Sequence, residues 1–176
     1  MAIKDALLPE FDHEMASTRT LLERVPDGRG GWKPHTKSMS VGELAMHVAE
    51  MSAWPAMTLE QDELDFNPPG GTPYRTPGFE TAAGLIAIFD ANVKASRAAL
   101  ARATDEQFMQ KWALKNGGVV LMSMPRAAVM RSFVLNHIIH HRGQLTVYLR
   151  LLDVPLPSIY GPTADLKQQG GAAGPT

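Results

Sequence analysis

The chain has 176 residues, a formal net charge of −1 with histidine neutral, 44% hydrophobic and 20% charged residues, and no cysteine. That length and balance fit one globular domain able to bury a core. The missing cysteines exclude disulfides, thiolate metal sites and a cysteine nucleophile. The basic residues form no block, so no nucleic-acid partner is expected. No window approaches the roughly 18 consecutive apolar residues of a membrane span, and the start, Met-Ala-Ile-Lys-Asp-Ala-Leu-Leu-Pro-Glu10, lacks a signal-peptide core. A cytoplasmic protein without a membrane partner is the expectation.

The first helix should run from Ala2 to Val25, with Leu7, Leu8, Phe11, Met15, Thr18, Leu22 and Val25 recurring on one face. Pro9 should move its beginning to Leu8 or later, and Pro26-Asp-Gly-Arg-Gly-Gly31 ends it. Ser40 and Glu43 make a capping-box pair ahead of a second helix carrying Val41, Leu44, Ala45, Val48, Met51 and Trp54 inward, kinked or interrupted at Pro55. Asn67-Pro-Pro-Gly-Gly-Thr-Pro73 opens a long loop that reaches about Gly78. A third helix is expected from Phe79 to Ala103 on Leu85, Ile86, Phe89, Val93 and Leu100, and Thr104 with Gln107 resembles a second capping box. Asn116-Gly117, with Trp112 and Leu114 before it and Val119 and Leu121 after, predicts a small β-hairpin. The last helix should start near Pro125 and continue to Leu152, stopped by Val154-Pro-Leu-Pro157. Four long helices with intervening loops predict an all-α fold, a four-helix bundle. It would fill residues 1–165, and the polar, glycine-rich remainder, 166–176, should be a disordered tail.

Three of the six histidines fall in Asn136-His-Ile-Ile-His-His-Arg-Gly-Gln144. At about 100° per residue, a spacing of four leaves His137 and His141 only about 40° apart around the helix. Two imidazoles so placed can share one divalent cation, and a third, such as His47 from the second helix, would complete a facial set with an open position. His140 lies about 60° from His137 on the other side and could replace either ligand in principle. The closer angle favours the pair at spacing four and leaves His140 exposed or outside the ligand set. Two rival motifs fail on particular residues. A His-Glu-x-x-His protease would need Glu where Ile138 stands. A di-iron carboxylate bundle needs two Glu-x-x-His units, and only Glu10-Phe-Asp-His13 fits while Pro125–Leu152 holds no acid.

Several segments together resemble the DinB family, which includes the YfiT-like bundles. They are Phe11-Asp-His-Glu14 with Leu21-Leu-Glu-Arg-Val-Pro26, Trp32-Lys-Pro34, Ser38-Met-Ser-Val-Gly-Glu-Leu-Ala-Met-His47, His137 with His141-Arg-Gly-Gln144, and Pro155-Leu-Pro-Ser-Ile-Tyr-Gly-Pro162. The resemblance implies a bundle with a crossover connection, often dimeric, holding a divalent metal on three histidines. Carried over position by position, those ligands are His47, His137 and His141. Three neutral imidazoles suit zinc, nickel or iron, with zinc favoured. The family also implies a metal-dependent transferase that uses a low-molecular-weight thiol, or a related small-molecule hydrolase; with no cysteine in the chain, the thiol must come from outside.

Glu50, one turn beyond His47, and His13 are the candidate proton-transfer groups, with Asp12 and Glu14 beside the latter. Arg142 is expected to pair with a carboxylate, Gly143 to permit close helix approach, and Gln144 to hydrogen-bond a ligand histidine. Trp32, Trp54 and Tyr148 could line a pocket or simply pack in the core. The alternative to an enzyme is a metal-stabilised oligomeric binding or stress protein without turnover.

Overall fold

Helix α1, Ile3–Leu22, begins where Asp5 turns its carboxylate back to the Ala2 N–H at 2.9 Å. The computed structural model describes residues 1–165, so the expected tail lies outside the described residues. Pro9 sits inside α1 and does not delay its start. The first turn is held from outside: the Ile3 N–H donates to the Asp105 carboxylate at 2.8 Å and Lys4 Nζ to the Ala101 carbonyl at 3.1 Å. Those tertiary contacts outweigh the one backbone bond that proline removes.

The Ser40–Glu43 capping box opens α2, Val41–Met51: Ser40 Oγ accepts from the Glu43 N–H at 3.1 Å and the Glu43 carboxylate accepts from the Ser40 N–H at 2.6 Å. The helix breaks at Ser52–Ala53 and resumes as α3, Trp54–Glu60, with Pro55 in its first turn, where a missing N–H costs nothing. Helix α4, Ala82–Arg102, starts three residues later than Phe79 because Thr81 caps it, accepting from the Gly84 N–H at 3.0 Å. Phe79 is spent elsewhere. Its side chain lies so close to Gly30 and Gly42 that a Cβ on either would come within 2.9 Å of it. Helix α5, Asp105–Met109, is capped by Thr104, but the Gln107 side chain donates to the Leu59 carbonyl at 2.7 Å instead of returning to the cap.

The strands correct the all-α expectation. They do not stand as a hairpin alone but make a three-stranded sheet in the order β1 (Glu63–Asp65), β2 (Lys111–Asn116), β3 (Val119–Pro125). β2 and β3 pair antiparallel around Gly117 and Gly118, both at positive φ, while β1 pairs parallel with β2. A three-residue strand shows no period in sequence. Its place is fixed at a distance by Asp65, whose carboxylate accepts from the N–H groups of Gly117 and Gly118 at 2.9 and 2.7 Å. The protein is therefore mostly helical with a small mixed sheet.

The final helical stretch keeps its expected limits but not a uniform winding. An α-turn α6, Arg126–Ala128, runs into a π-helical segment, Val129–Leu135, and then α7, Asn136–Leu151. α1 packs on α4 and α7, and α2 packs on the same two helices. Phe11, Leu22, Leu44, Met51, Phe89, Ile138, Leu145 and Leu149 are buried between them. Among the described residues no helix is long and apolar enough to cross a membrane.

Candidate metal centre

Because α2 and α7 pack side by side, His47 faces His137 and His141 across the helix pair. One ring nitrogen from each lies within 4.8 Å of the other two. Ring centroids are 4.6 Å apart for His137 and His141, 4.7 Å for His47 and His141, and 5.4 Å for His47 and His137. All three are half-buried. His140 is exposed and stands edge-on to the His141 ring at 4.9 Å.

The π-helical segment ends two residues before His137. Its wider i→i+5 turn shifts the phase of everything downstream, and such turns recur at functional sites. Phe133, inside it, packs against the His137 ring at 5.5 Å. His137 Nδ1 is buried without a hydrogen-bond partner among the described residues. Burial, reinforced by the neighbouring His141, His47 and His140, pushes its pKa down to about 4; the Phe133 carbonyl opposes this without reaching hydrogen-bond geometry at Nδ1. Burial lowers the His141 pKa as well. The pair is thus held neutral, the state in which imidazole is a metal ligand.

Two neighbours orient the rings. His141 Nδ1 lies 2.7 Å from Gln144 Oε1, which leaves Nε2 for the cluster. His47 Nδ1 lies 3.7 Å from Glu50 Oε2. Glu50 is only 6% exposed, and its other oxygen accepts the Trp54 indole N–H at 2.8 Å. Thr76 Oγ1 is 3.5 Å from Glu50 Oε2 and brings the long loop before α4 over the site.

The remaining sequence candidates are dispersed. His13 lies beside the Tyr160 ring at 6.4 Å, and Asp12 pairs with Arg97 at 2.8 Å. Glu14 and Arg142 form a buried ion pair at 2.6 Å. Gly143 corrects another expectation: it is exposed, and a Cβ there would meet nothing within 4 Å, so among the described residues no helix approaches it closely. Trp32 and Tyr148 pack edge-on against each other at 5.9 Å.

Two open clefts meet at His47. One, of about 530 Å³, is lined by Trp54, Phe66, Tyr74, Phe133 and His137, with Glu50, Arg75 and Thr76. The other, of about 580 Å³, has Lys37, Ser38, Glu43, Pro77 and Phe79. Sequence reasoning missed Phe66, Tyr74, Arg75 and Thr76. The signal available was two aromatic residues inside a proline- and glycine-rich loop, which need a surface to pack on.

The Bacillus subtilis protein YrdA is similar to this chain, 28% identical over 161 residues that cover 92% of this chain and 90% of YrdA. The fold is similar to the crystal structure of a DinB-like protein from Bacillus cereus, with a TM-score of 0.67 at 22% identity over 89% of this chain and 97% of that one. A DinB-like protein of Bacillus subtilis, YjoA, gives a TM-score of 0.64 at 21% identity over 88% and 96%. The sequence profile of the DinB family matches residues 2–171, nearly the whole length, and this chain belongs to the DinB family.

Proposed function

We propose that this protein is a metal-dependent enzyme acting on a small molecule, with one divalent cation held by His47, His137 and His141. The observation that carries this is the convergence of three imidazole nitrogens within 4.8 Å, with His47 lining both clefts and His137 one of them. The donor set fits such an ion: three half-buried imidazoles, two of them held neutral by burial, with the Nδ1 of His141 already engaged by Gln144. Zinc is the favoured occupant, and nickel or iron would suit the same ligands. In the same reading, α1, α2, α4 and α7 constitute a four-helix bundle, and the protein works in the cytoplasm as a homodimer.

The reaction we favour is transfer of an external low-molecular-weight thiol to an electrophilic carbon: the S–H bond breaks, the S–C bond forms, and the carbon–leaving-group bond breaks with its electron pair going to the leaving group, which takes up the thiol proton. A cation at this site supplies Lewis acidity, which favours the deprotonated form of a thiol brought to it. The chain's own residues do the rest. Glu50 is the candidate to hold the thiol proton, since its Oε2 faces His47 while Trp54 and Thr76 fix the carboxylate. Gln144 sets the His141 tautomer, and the loop carrying Thr76 brings a hydroxyl to 3.5 Å from Glu50 Oε2. His13 has no role in this scheme, because it lies beside Tyr160.

The test is metal analysis of tag-free protein by mass spectrometry, beside the His47→Ala variant. About one ion per chain, lost in the variant, supports the reading and directs a screen of thiols with electrophiles. A folded protein that carries no metal and refuses added zinc overturns it.

A further inference from the structure

Glu50 is a buried carboxylate at the base of an aromatic wall, and the cleft above it holds a cation with no ion-pair partner among the described residues. Tyr74 and Phe66 pack at 6.0 Å, Phe66 and Trp54 at 6.3 Å, Trp54 and Phe133 at 5.2 Å, and Phe133 and His137 at 5.5 Å. The rings form one continuous surface that runs from the loop before α4 down to the histidines. Phe66, Tyr74 and Phe133 remain partly exposed on it, an arrangement that suits a flat apolar group.

Arg75 stands on the rim of this cleft. Its guanidinium is exposed, makes no ion pair among the described residues, and has only a long 3.4 Å contact to the Tyr74 carbonyl. Arg19, Arg97, Arg102, Arg126, Arg131, Arg142 and Arg150 each have a carboxylate partner, while Arg24 and Arg29, away from this cleft, have none among the described residues. An aromatic wall with an acid could instead read as a cage for an organic cation. Glu50 speaks against that. One of its oxygens is taken by the Trp54 indole N–H, and the other is turned to His47 and Thr76. The free charge of the cleft is thus Arg75, and it is positive.

We propose that this cleft binds the aryl end of a carboxylate-bearing substrate, with the ring against Phe66, Tyr74 and Phe133 and the carboxylate on Arg75. This deepens the reading above by naming the class of the electrophile, and it rests on that reading only for the reaction. The second cleft, beyond Thr76 and Pro77, is then left for the thiol.

The experiment is a titration with 2-naphthoate, the neutral 2-naphthalenemethanol and the cationic 2-naphthylmethylamine, reading the Trp54 indole N–H resonance by NMR. Trp54→Phe assigns that resonance among the three indoles of the chain. The acid should bind tighter than the alcohol by about fivefold or more, as expected for a charge-assisted pair. Arg75→Gln should erase that advantage while leaving alcohol binding unchanged. His47→Ala, which removes a proposed metal ligand, should leave the acid-to-alcohol ratio in place. Equal binding of acid and alcohol overturns the proposal, and tightest binding of the amine overturns it in favour of a cation cage. Acid binding abolished by His47→Ala but untouched by Arg75→Gln also overturns it, because the carboxylate then sits at the histidines. Since the ratio can be read on metal-free protein, failure of the metal reading and failure of this one are separable.

Discussion

His140 and His141 are neighbours in the chain and nearly equal in chemistry, yet only one of them turns to His47. The difference is one step of about 100° around the helix. His141→Ala should therefore lower zinc affinity by more than about 100-fold, beyond the range of a lost supporting contact. His140→Ala should leave affinity nearly unchanged. Gln144→Ala removes only the group that orients His141 and should cost about tenfold. Competition titration against a chromophoric chelator measures all three, and equal loss from the two histidine variants would show that the ligand pair is misassigned. The spacing of four favoured His137 with His141 over His140 in the sequence, because a helix converts spacing directly into angle. Arg75, Phe66 and Tyr74 could not be found that way. They lie between Phe66 and Glu80 on a loop with no period, and only Thr76 reaching Glu50 and Phe79 seated on Gly30 and Gly42 bring that loop to the site.

Among the elements, α7 needs a fixed rotation about its own axis if its histidines are to meet His47, and Arg142 supplies it from the opposite face. Arg142 is 1% exposed, and its guanidinium donates to the Glu14 carbonyl and Thr18 Oγ1, each at 3.1 Å, while pairing with the Glu14 carboxylate at 2.6 Å. The Tyr160 hydroxyl closes the network at 2.5 Å from Nη2, donating in turn to Glu14. Arg142→Met would strand a buried carboxylate and should destabilise the protein by about 3–5 kcal/mol; adding Glu14→Leu should recover much of that loss. Urea denaturation of the single and double variants measures both, and a double variant no better than the single would mean the pair is worth more than its desolvation cost. The pairing of Arg142 with an acid was legible, but its partner, 128 positions away, was not. The π-helical turn at Val129–Leu135 also left no mark in the apolar pattern, since Val134, Leu135 and Ile138 remain buried through it.

The segment that delivers Tyr160 has its own fastening. Asp165 accepts two N–H groups of Arg150 and the Leu156 N–H at 2.9 Å, and Arg150 first, then Leu156, hold its carboxyl down to about 2. A depressed carboxyl contributes stability in full above its unfolded pKa, near 4, and loses it as pH falls through the folded value, near 2. The strap should accordingly loosen between about pH 4 and pH 2. Pepsin cleavage within residues 154–165 should rise over that window, and Asp165→Asn should allow neutral proteases to cut there at pH 7. Cleavage that does not change with pH would mean that Tyr160 alone holds the strap.

For the molecule as a whole, the packing leaves one weak seam. α2 and α7 pack against each other, but at the three histidines the two helices meet through imidazole rings, with a buried nitrogen on His137 that nothing among the described residues satisfies. A cation bound there would tie α2 to α7 through atoms 90 positions apart in the chain, since His47 and His137 sit on different helices. Anything that binds only the folded state adds stability by mass action, about 4 kcal/mol when free metal is a thousandfold above its dissociation constant. For a domain of this size each kcal/mol moves Tm by about 2–4 °C. Stripping the metal with a chelator should thus lower Tm by about 10 °C, and zinc should restore it. In His47→Ala, chelator and zinc should both leave Tm where it is, because two ligands on one helix no longer link it to the other. A chelator-sensitive Tm that persists in His47→Ala would place the ion elsewhere. A Tm indifferent to metal in the wild type would leave the seam held by packing alone, and with it would go the Lewis acid on which the thiol chemistry depends.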